Sequence, residues 1–434
     1  MKEQEKIPVS RVQRASKFLS TGAKVGGNYI KHYSKKLFDP ELNRDELNED
    51  NARDIYNSLS ELKGSALKVA QMLSMDKNLL PQAYQDKFSM AQYSAPPLSY
   101  PLVQKTFQKY FDKSPAQLFD SFSIKAENAA SIGQVHIATL AGKKLAVKIQ
   151  YPGVADSVKS DLRMVKPMAS RLFNINTQEL EQYIVEVEER LLEETDYTLE
   201  LKRSMELSKA CSHLPNIVFP TYYPDLSSEK ILVMDWIEGR PLKDYLKENP
   251  TQEKRNEIGQ ALWDFYNYQM HELRQVHADP HPGNFIITKD DKLCIIDFGC
   301  VKEIPNDFYE KYFALIRKDT VADKEKLDKL YYELGFISEQ DTEKEITFFK
   351  SLFNQMINLL GRPFYQDTFD FSNEKYFREI FETGDKYSRM KEVRNSKSAR
   401  GPRHALYINR TFFGLYNILH DLKAEIKTTS IALA

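Results

Sequence analysis

The 434-residue sequence predicts an α+β fold: two lobes preceded by a helical extension. Three observations predict it. Short apolar runs at 145–150, 231–235, 284–288 and 292–296 have strand length and are bounded by turn residues. The stretches before and after them repeat apolar residues three and four apart, the period of helices packed on one face. The run 231–239 is an apolar strand that breaks into a connector at Gly239, which divides the strand-rich middle from a mostly helical remainder. Four segments follow: a basic segment over 1–40, a helical extension over 41–120, a first lobe over 121–235 and a second over 236–434.

Composition narrows the class. Apolar residues make up 41% and charged residues 28%, as in ordinary soluble proteins. A net charge of −1 gives no field that recruits nucleic acid. Cys211, Cys294 and Cys300 are scattered without Cys-x-x-Cys spacing, against a disulfide framework or structural zinc and in keeping with a reducing cytoplasm. No apolar run has bilayer-spanning length, and the first thirty residues lack the apolar core of a secretory signal. A cytoplasmic location is expected.

In chain order, residues 7–37 carry Arg11, Arg14, Lys17, Lys24, Lys31, Lys35 and Lys36 and no acid. Val12, Ala15, Leu19, Ala23, Gly26, Ile30 and Tyr33 fall near helical spacing. Two readings stand: a basic amphipathic segment lying on an anionic membrane surface, or a solvated tail loosened by Gly22, Gly26 and Gly27. From Asp45 a continuous helix is predicted, its stripe running through Ile55, Leu59, Leu62, Ala66, Val69 and Leu73. Lys68 and Gln71, three apart, share a face beside it. A further helix is expected over 102–111.

Residues 129–136 form a small-residue loop entering a strand, and Lys148 follows in Leu145–Ala146–Val147–Lys148–Ile149. A lysine on such a strand in kinases contacts the α- and β-phosphates. Amid apolar neighbours it needs a partner, because an unpaired buried charge is costly. That partner is sought on one acidic helix over 179–203. Glu200 leads, with at most one of Glu194 and Asp196 assisting, since residues two apart cannot share a helical face. At the connector, Asp235, Trp236 and Ile237 would offer backbone groups to adenine.

The chemistry centres on His277–Ala278–Asp279–Pro280–His281–Pro282–Gly283–Asn284 and on Asp297–Phe298–Gly299. Asp279 and Asn284 keep the five-residue spacing of a kinase catalytic loop, where the Asp handles the attacking group and the Asn ligates a metal. Phosphate charge is neutralised by Mg²⁺, which takes few, well-placed oxygen ligands. Asn284 and Asp297 would supply them, brought together by a hairpin over 284–296 turned at 289–291, and Gly299 lets the chain turn away. His277 and His281 are four apart, but Ala278 leaves no glutamate base and Pro280 and Pro282 forbid a metalloprotease helix. Beyond Gly299, helices are expected over 308–317, 324–334, 346–360 and 406–426. Loops are expected over 361–363 and 394–404, with Arg394, Lys397, Arg400 and Arg403 solvated.

With these motifs in order, residues 50–425 resemble the UbiB (AarF/ADCK) family of atypical kinase-like proteins. The family's Lys-x-Gly-Gln motif matches Lys68–Val69–Ala70–Gln71, and its Ala-rich loop matches Asn128, Ala129, Ala130, Ser131, Ile132, Gly133 and Gln134. Val147–Lys148–Ile149–Gln150–Tyr151–Pro152–Gly153, Glu194–Thr195–Asp196–Tyr197 and the run from His277 to Asn284 match further motifs. The resemblance implies a two-lobed protein-kinase-like fold whose extension covers the active site, with Lys68, Gln71, Glu194 and Asp196 gating access. It implies ATP or ADP and Mg²⁺ as ligands, the Ala-rich loop over the phosphates, and a role in isoprenoid quinone metabolism. A lipid or quinone precursor is then a partner, met at the inner face of a membrane through peripheral contact. Ala70 replaces the family's Gly, and Glu127–Asn128 alters the start of the loop, where Asn128 bears on nucleotide preference.

The expected function is thus a Mg²⁺-dependent ATPase of atypical kinase type. Lys148 is held by Glu200, and Asp279 positions water or an acceptor hydroxyl. A true protein or small-molecule kinase and a non-catalytic nucleotide-sensing scaffold remain as alternatives. The sequence leaves the acceptor and the oligomeric state open.

Overall fold

A computed structural model describes residues 8, 10–39, 42–62, 64, 66–70, 81–89, 97–129, 132–173, 177–388, 390–394 and 400–429. Gln71, Leu73, Ala130, Ser131 and Lys397 lie outside the described residues. The chain forms two compact units. The first is Met1–Lys202 with Thr221–Trp236, and the second is Arg203–Pro220 with Ile237–Ala434.

The first unit is built on an antiparallel sheet. β1 (Ser121–Phe122), β3 (Gly133–Leu140), β4 (Lys143–Gln150) and β6 (Ile231–Asp235) lie in that order, with β2 (Asn128–Ala129) also on β3. Alternation along β4 sorts its faces. Leu145, Val147 and Ile149 join Val103 and Phe107 of helix α4 (Tyr100–Phe111) in one core, whereas Ala146 packs with Tyr197, Leu232 and Met234 on the other side. Lys148, opposite Val135 and Leu232, sits in the same alternation as Ala146.

The other part of this unit is helical: α1 (Arg11–Lys36), α2 (Asp45–Leu62), α3 (Gln82–Ser89), α5 (Val154–Phe173) and α6 (Thr177–Glu194) share one apolar cluster. Helix α1 takes up most of the basic segment. Its packed face is Arg14, Phe18, Thr21, Val25 and His32, while Val12, Leu19, Ile30 and Tyr33 are exposed. Three of its lysines, Lys17, Lys31 and Lys35, pair with Glu61, Asp50 and Glu46 of α2. Arg14 is buried, with Nε donating to Asp161 Oδ1 at 2.7 Å and Nη1 to the Leu62 carbonyl at 2.8 Å. The predicted continuous helix from Asp45 stops at Leu62, because Gly64 takes a φ of +65°, and helix resumes over 66–70. The stripe stays buried through both pieces.

The acidic helix expected over 179–203 is likewise two helices, α6 and α7 (Tyr197–Ala210). Asp196 causes the break, its carboxylate accepting from Leu199 N at 3.0 Å as an N-cap.

The second unit holds the sheet β5 (Ile217–Val218), β10 (Leu293–Ile295), β9 (Phe285–Thr288), β7 (Gly239–Pro241) and two ribbons, β8 (Gln275–His277) with β11 (Val301–Glu303) and β12 (Thr368–Asp370) with β13 (Glu425–Lys427). β9 and β10 pair antiparallel as predicted, with Leu293 opposite Ile287. Helices α8 (Gln252–Tyr268), α9 (Asn306–Ala314), α10 (Lys324–Glu333), α11 (Glu343–Leu360), α12 (Glu374–Ser388) and α13 (Arg403–Leu422) enclose one large core around Trp263, Phe265, Phe298 and Tyr416. Two expectations fail here. The helix predicted to Ile426 ends at Leu422, where Lys423 turns left-handed (φ +51°) and the chain enters β13. Arg400 is not solvated: it makes a bidentate pair with Asp341 (2.6 and 2.9 Å), its guanidinium 3.6 Å from the Phe349 ring centroid.

Candidate active site

In the first unit, Lys148 Nζ donates to Glu200 Oε1 at 2.7 Å. The carboxylate lies one turn into α7, where its side chain is 2% exposed against 18% for Lys148. The need for a partner, read from the apolar strand, thus selects Glu200 from the nine acids over 179–203. Tyr197, a turn earlier on α7, places its ring 5.1 Å from the ammonium, a cation–π contact that the sequence reading missed although Tyr197 ends the Glu194–Tyr197 motif. Glu194 does not assist Glu200; it pairs with Lys68 at 3.0 Å, with both side chains largely buried. Asp196 is exposed and serves as the cap described above.

The small-residue loop divides. Asn128 is exposed and Ala129 half-buried on β2, compatible with facing a ligand. Ile132, Gly133 and Gln134 are buried and committed to packing. A Cβ on Gly133 would stand 2.8 Å from both the Ile149 carbonyl and the Tyr197 hydroxyl. Gly133 therefore admits Tyr197, not a phosphate. The Gln134 side chain reaches the backbone of Leu98, with Oε1 accepting from Leu98 N at 2.6 Å.

At the connector, two of the three expected backbone donors are already used. Asp235 N donates to Thr221 O and Trp236 N to Lys144 O, each at 2.9 Å. The Asp235 carboxylate accepts from Tyr223 Oη at 2.7 Å and from Thr221 N at 3.1 Å, bracing the strand end. Of the three expected donors, Asp235 and Trp236 are thus committed to the protein's own backbone.

The second unit carries the loop and the carboxylate together. The β8–β11 ribbon sets His277 opposite Val301, and Ala278 N donates to Cys300 O at 2.9 Å. Ile296 N donates to Asn284 O at 3.1 Å, which ties the loop's end to the residue before Asp297. Within the loop, Asn284 Nδ2 donates to the Asp279 carbonyl at 3.0 Å and to its carboxylate at 3.2 Å. The amide nitrogen is thereby aimed at Asp279. Asp297 Oδ1 accepts from Gly299 N at 2.8 Å. Gly299 makes this turn without a left-handed φ, so its conformational freedom is not what the turn uses.

Packing fixes the loop. His277 and Phe298 are fully buried, their ring centroids 5.7 Å apart. Tyr266 Oη lies 3.1 Å from His277 Nδ1; burial first, then the charge of Asp279, holds that phenol well above its ordinary pKa, so it stays neutral. Gln269 Oε1 accepts from His277 N at 3.0 Å, and His281 Nδ1 from Gly283 N at 3.0 Å. Gly414 on α13 is the seat for Pro280: a Cβ there would stand 2.3 Å from the proline ring. A glycine amid a helical pattern, where it costs about 1 kcal/mol, was the signal available for it.

Among the described residues no three His, Cys, Asp or Glu side chains are grouped to hold a metal. Mg²⁺ needs no such cage when phosphates complete its octahedron, and one or two protein oxygens suffice. The oxygen donors Asn284 and Asp297 fit that requirement.

The ABC1 atypical kinase-like domain matches residues 90–331. "Atypical kinase COQ8B, mitochondrial" of Danio rerio is 26% identical over 99% of this chain and 69% of its own length. "Atypical kinase COQ8, mitochondrial" of Saccharomyces cerevisiae is 26% identical over 97% of this chain and 83% of its own. A solved structure described as the complex of Rv3197 with erythromycin, from Mycobacterium tuberculosis, is 28% identical, with a TM-score of 0.60 over 88% of this chain and 95% of that one. The α+β kinase-like fold is as the sequence predicts, and the chain belongs to the UbiB (AarF/ADCK) family, whose ABC1 atypical kinase-like domain matches more than half of its length.

Proposed function

We propose that this protein binds Mg²⁺–ATP and hydrolyses it, in the service of isoprenoid quinone or lipid metabolism. The observation that carries the reading is the orientation of Asn284, whose amide nitrogen is bonded to Asp279 so that its oxygen is the atom offered to a cation. In this reading Asn284 and Asp297 ligate Mg²⁺, and Asp279 orients the attacking water or hydroxyl. Lys148, steadied by Glu200 and Tyr197, contacts the α- and β-phosphates. Asn128 and Ala129 lie over the phosphates, and Lys68 with Glu194 gates access. The metal supplies charge neutralisation on the phosphates; everything else is positioning by side chains of this chain. The quinone assignment rests on the family resemblance, which the mitochondrial atypical kinases COQ8B and COQ8 support.

Place of work is part of the same reading. No described helix is long and apolar enough to cross a membrane. The exposed stripe Val12, Leu19, Ile30 and Tyr33 suits shallow insertion at an interface, driven by apolar burial while Lys17, Lys31 and Lys35 pair with α2.

The test is release of phosphate from Mg²⁺–ATP by the purified protein. Asp297→Asn removes the charge that holds the metal, and turnover is expected to fall by at least about a hundredfold; wild-type turnover in that variant would refute the metal assignment. Transfer of labelled phosphate to protein faster than its release into solution would favour a protein kinase instead.

A further inference from the structure

We propose that Gln134 is a positioning residue through which the helical extension sets the nucleotide loop and, behind it, Lys148. The inference rests on the nucleotide reading above and adds to it a route of regulation. Gln134 stands where the small-residue loop enters β3 and is only 1% exposed. Its Oε1 accepts from Leu98 N at 2.6 Å, and its Nε2 lies 3.5 Å from Leu98 O. Leu98 lies in the extension just before α4, and its side chain is buried with Ile132, Tyr151 and Val154. One amide thus meets both backbone groups of a residue of the extension.

His136 orients that amide. Its Nδ1 lies 2.7 Å from the Ser123 carbonyl, which only an N–H can face, so Nδ1 carries the proton. Nε2 is then an acceptor, and the Gln134 Nε2 lying 2.8 Å from it is the donor. This leaves Gln134 Oε1, and no other atom of the side chain, to take the Leu98 N–H. The ring is held by stacking on Phe122, centroids 4.9 Å apart.

From Gln134 the constraint continues inward. Gly133 is in contact with the Tyr197 hydroxyl, and Tyr197 lies beneath the Lys148 ammonium. Ile132 O accepts from Tyr151 N at 2.9 Å, so the root of the loop cannot shift alone. A displacement of Leu98 therefore reaches the loop root and the lysine through direct contacts. Coupling of this kind is reciprocal: a nucleotide that orders the loop must also steady Leu98.

Gln134→Leu keeps the volume and removes both polar groups, and Gln134→Glu keeps an acceptor for Leu98 N but removes the donor to His136 Nε2. Each full-length variant is checked for folding by circular dichroism, and Mg²⁺–ATP binding, turnover and amide hydrogen exchange are then measured. Gln134→Leu is expected to raise the dissociation constant about tenfold, within the roughly 5–150-fold usual for coupling between sites, with kcat changed less than about threefold. Gln134→Glu, which loses the donor to His136, should weaken binding as well. In the wild type, Mg²⁺–ATP should slow exchange at Leu98, and in Gln134→Leu that protection should vanish, which loss of stability alone would not produce. Unchanged nucleotide affinity in folded Gln134→Leu, or retained protection of Leu98, overturns the proposal. Should the wild type bind no nucleotide, the functional reading fails first. The tether is then judged without ligand: Gln134→Leu must speed exchange at Leu98 and at 132–135 together, and independent behaviour of the two refutes it.

Discussion

Replacing Glu200 with Gln tests the pairing that the catalytic reading needs most. The substitution keeps shape and removes a charge lying 2.7 Å from the Lys148 ammonium, with side chains 2% and 18% exposed. Leaving one member of a buried pair unpartnered costs about 3–5 kcal/mol when water is fully excluded. Lys148 retains some solvent and the face of Tyr197, and a cation–π contact is worth about 0.5–2 kcal/mol. A loss of about 2–3 kcal/mol in urea unfolding follows, together with a fall in phosphate release of about 10²–10³, the usual effect of misplacing one electrostatic contact to a transition state. The double variant Lys148→Met with Glu200→Gln separates the two consequences. With no charge left unpaired its stability should return to within about 1 kcal/mol of wild type, while turnover stays as low as in the single variant. Wild-type turnover in Glu200→Gln would refute the reasoning, as would a double variant less stable than the single one.

Two further outcomes are expected. Burial first, and then the charge of Arg274, hold His271 down at a pKa of about 4. The unfolded chain takes up that proton near pH 6.5, so it binds more protons than the folded state between those values. Stability should therefore decline as pH falls from about 6.5 to about 4, by at most about 3 kcal/mol, and flatten below; His271→Gln should remove that slope from melting temperature against pH. For the membrane reading, Leu19→Gln with Ile30→Gln should each weaken flotation with liposomes by about tenfold or more, each side chain contributing up to about 1.5–3 kcal/mol when buried. Added salt should matter little, and flotation abolished by salt but indifferent to both substitutions would reverse this account of α1.

Much of the second unit's site was legible because its geometry is local. Asp279 and Asn284 are five apart, and a short proline-bounded loop leaves their contact few alternatives. The hairpin that carries Asn284 towards Asp297 announced itself by two apolar runs around a polar turn. Lys148 was legible for a different reason: a lysine on an apolar strand demands an acid, and chain order limited the choice. What stayed hidden were breaks made by single residues inside otherwise periodic stretches. Gly64 cuts one helix by a positive φ and Asp196 cuts another by capping it, yet both helical patterns read straight through.

The polar residues misjudged in sequence share one cause. Arg14 was assigned to a solvated or membrane-facing helix, Arg400 to a solvated loop, and Gln134 to a ligand. Their partners are Asp161, Asp341 and Leu98, separated in sequence by 147, 59 and 36 residues. Hydropathy assigns a lone arginine to water because desolvating it unpaired is prohibitive, and it cannot register that a distant carboxylate has removed the penalty. The error is thus directional: sequence reasoning overstates how many polar groups are available to ligands and surfaces. Applied to the proposed nucleotide loop, the correction shifts weight from Ile132, Gly133 and Gln134 to Asn128 and Ala129 as the positions proposed to face the phosphates. It makes the buried three the scaffold on which that contact depends.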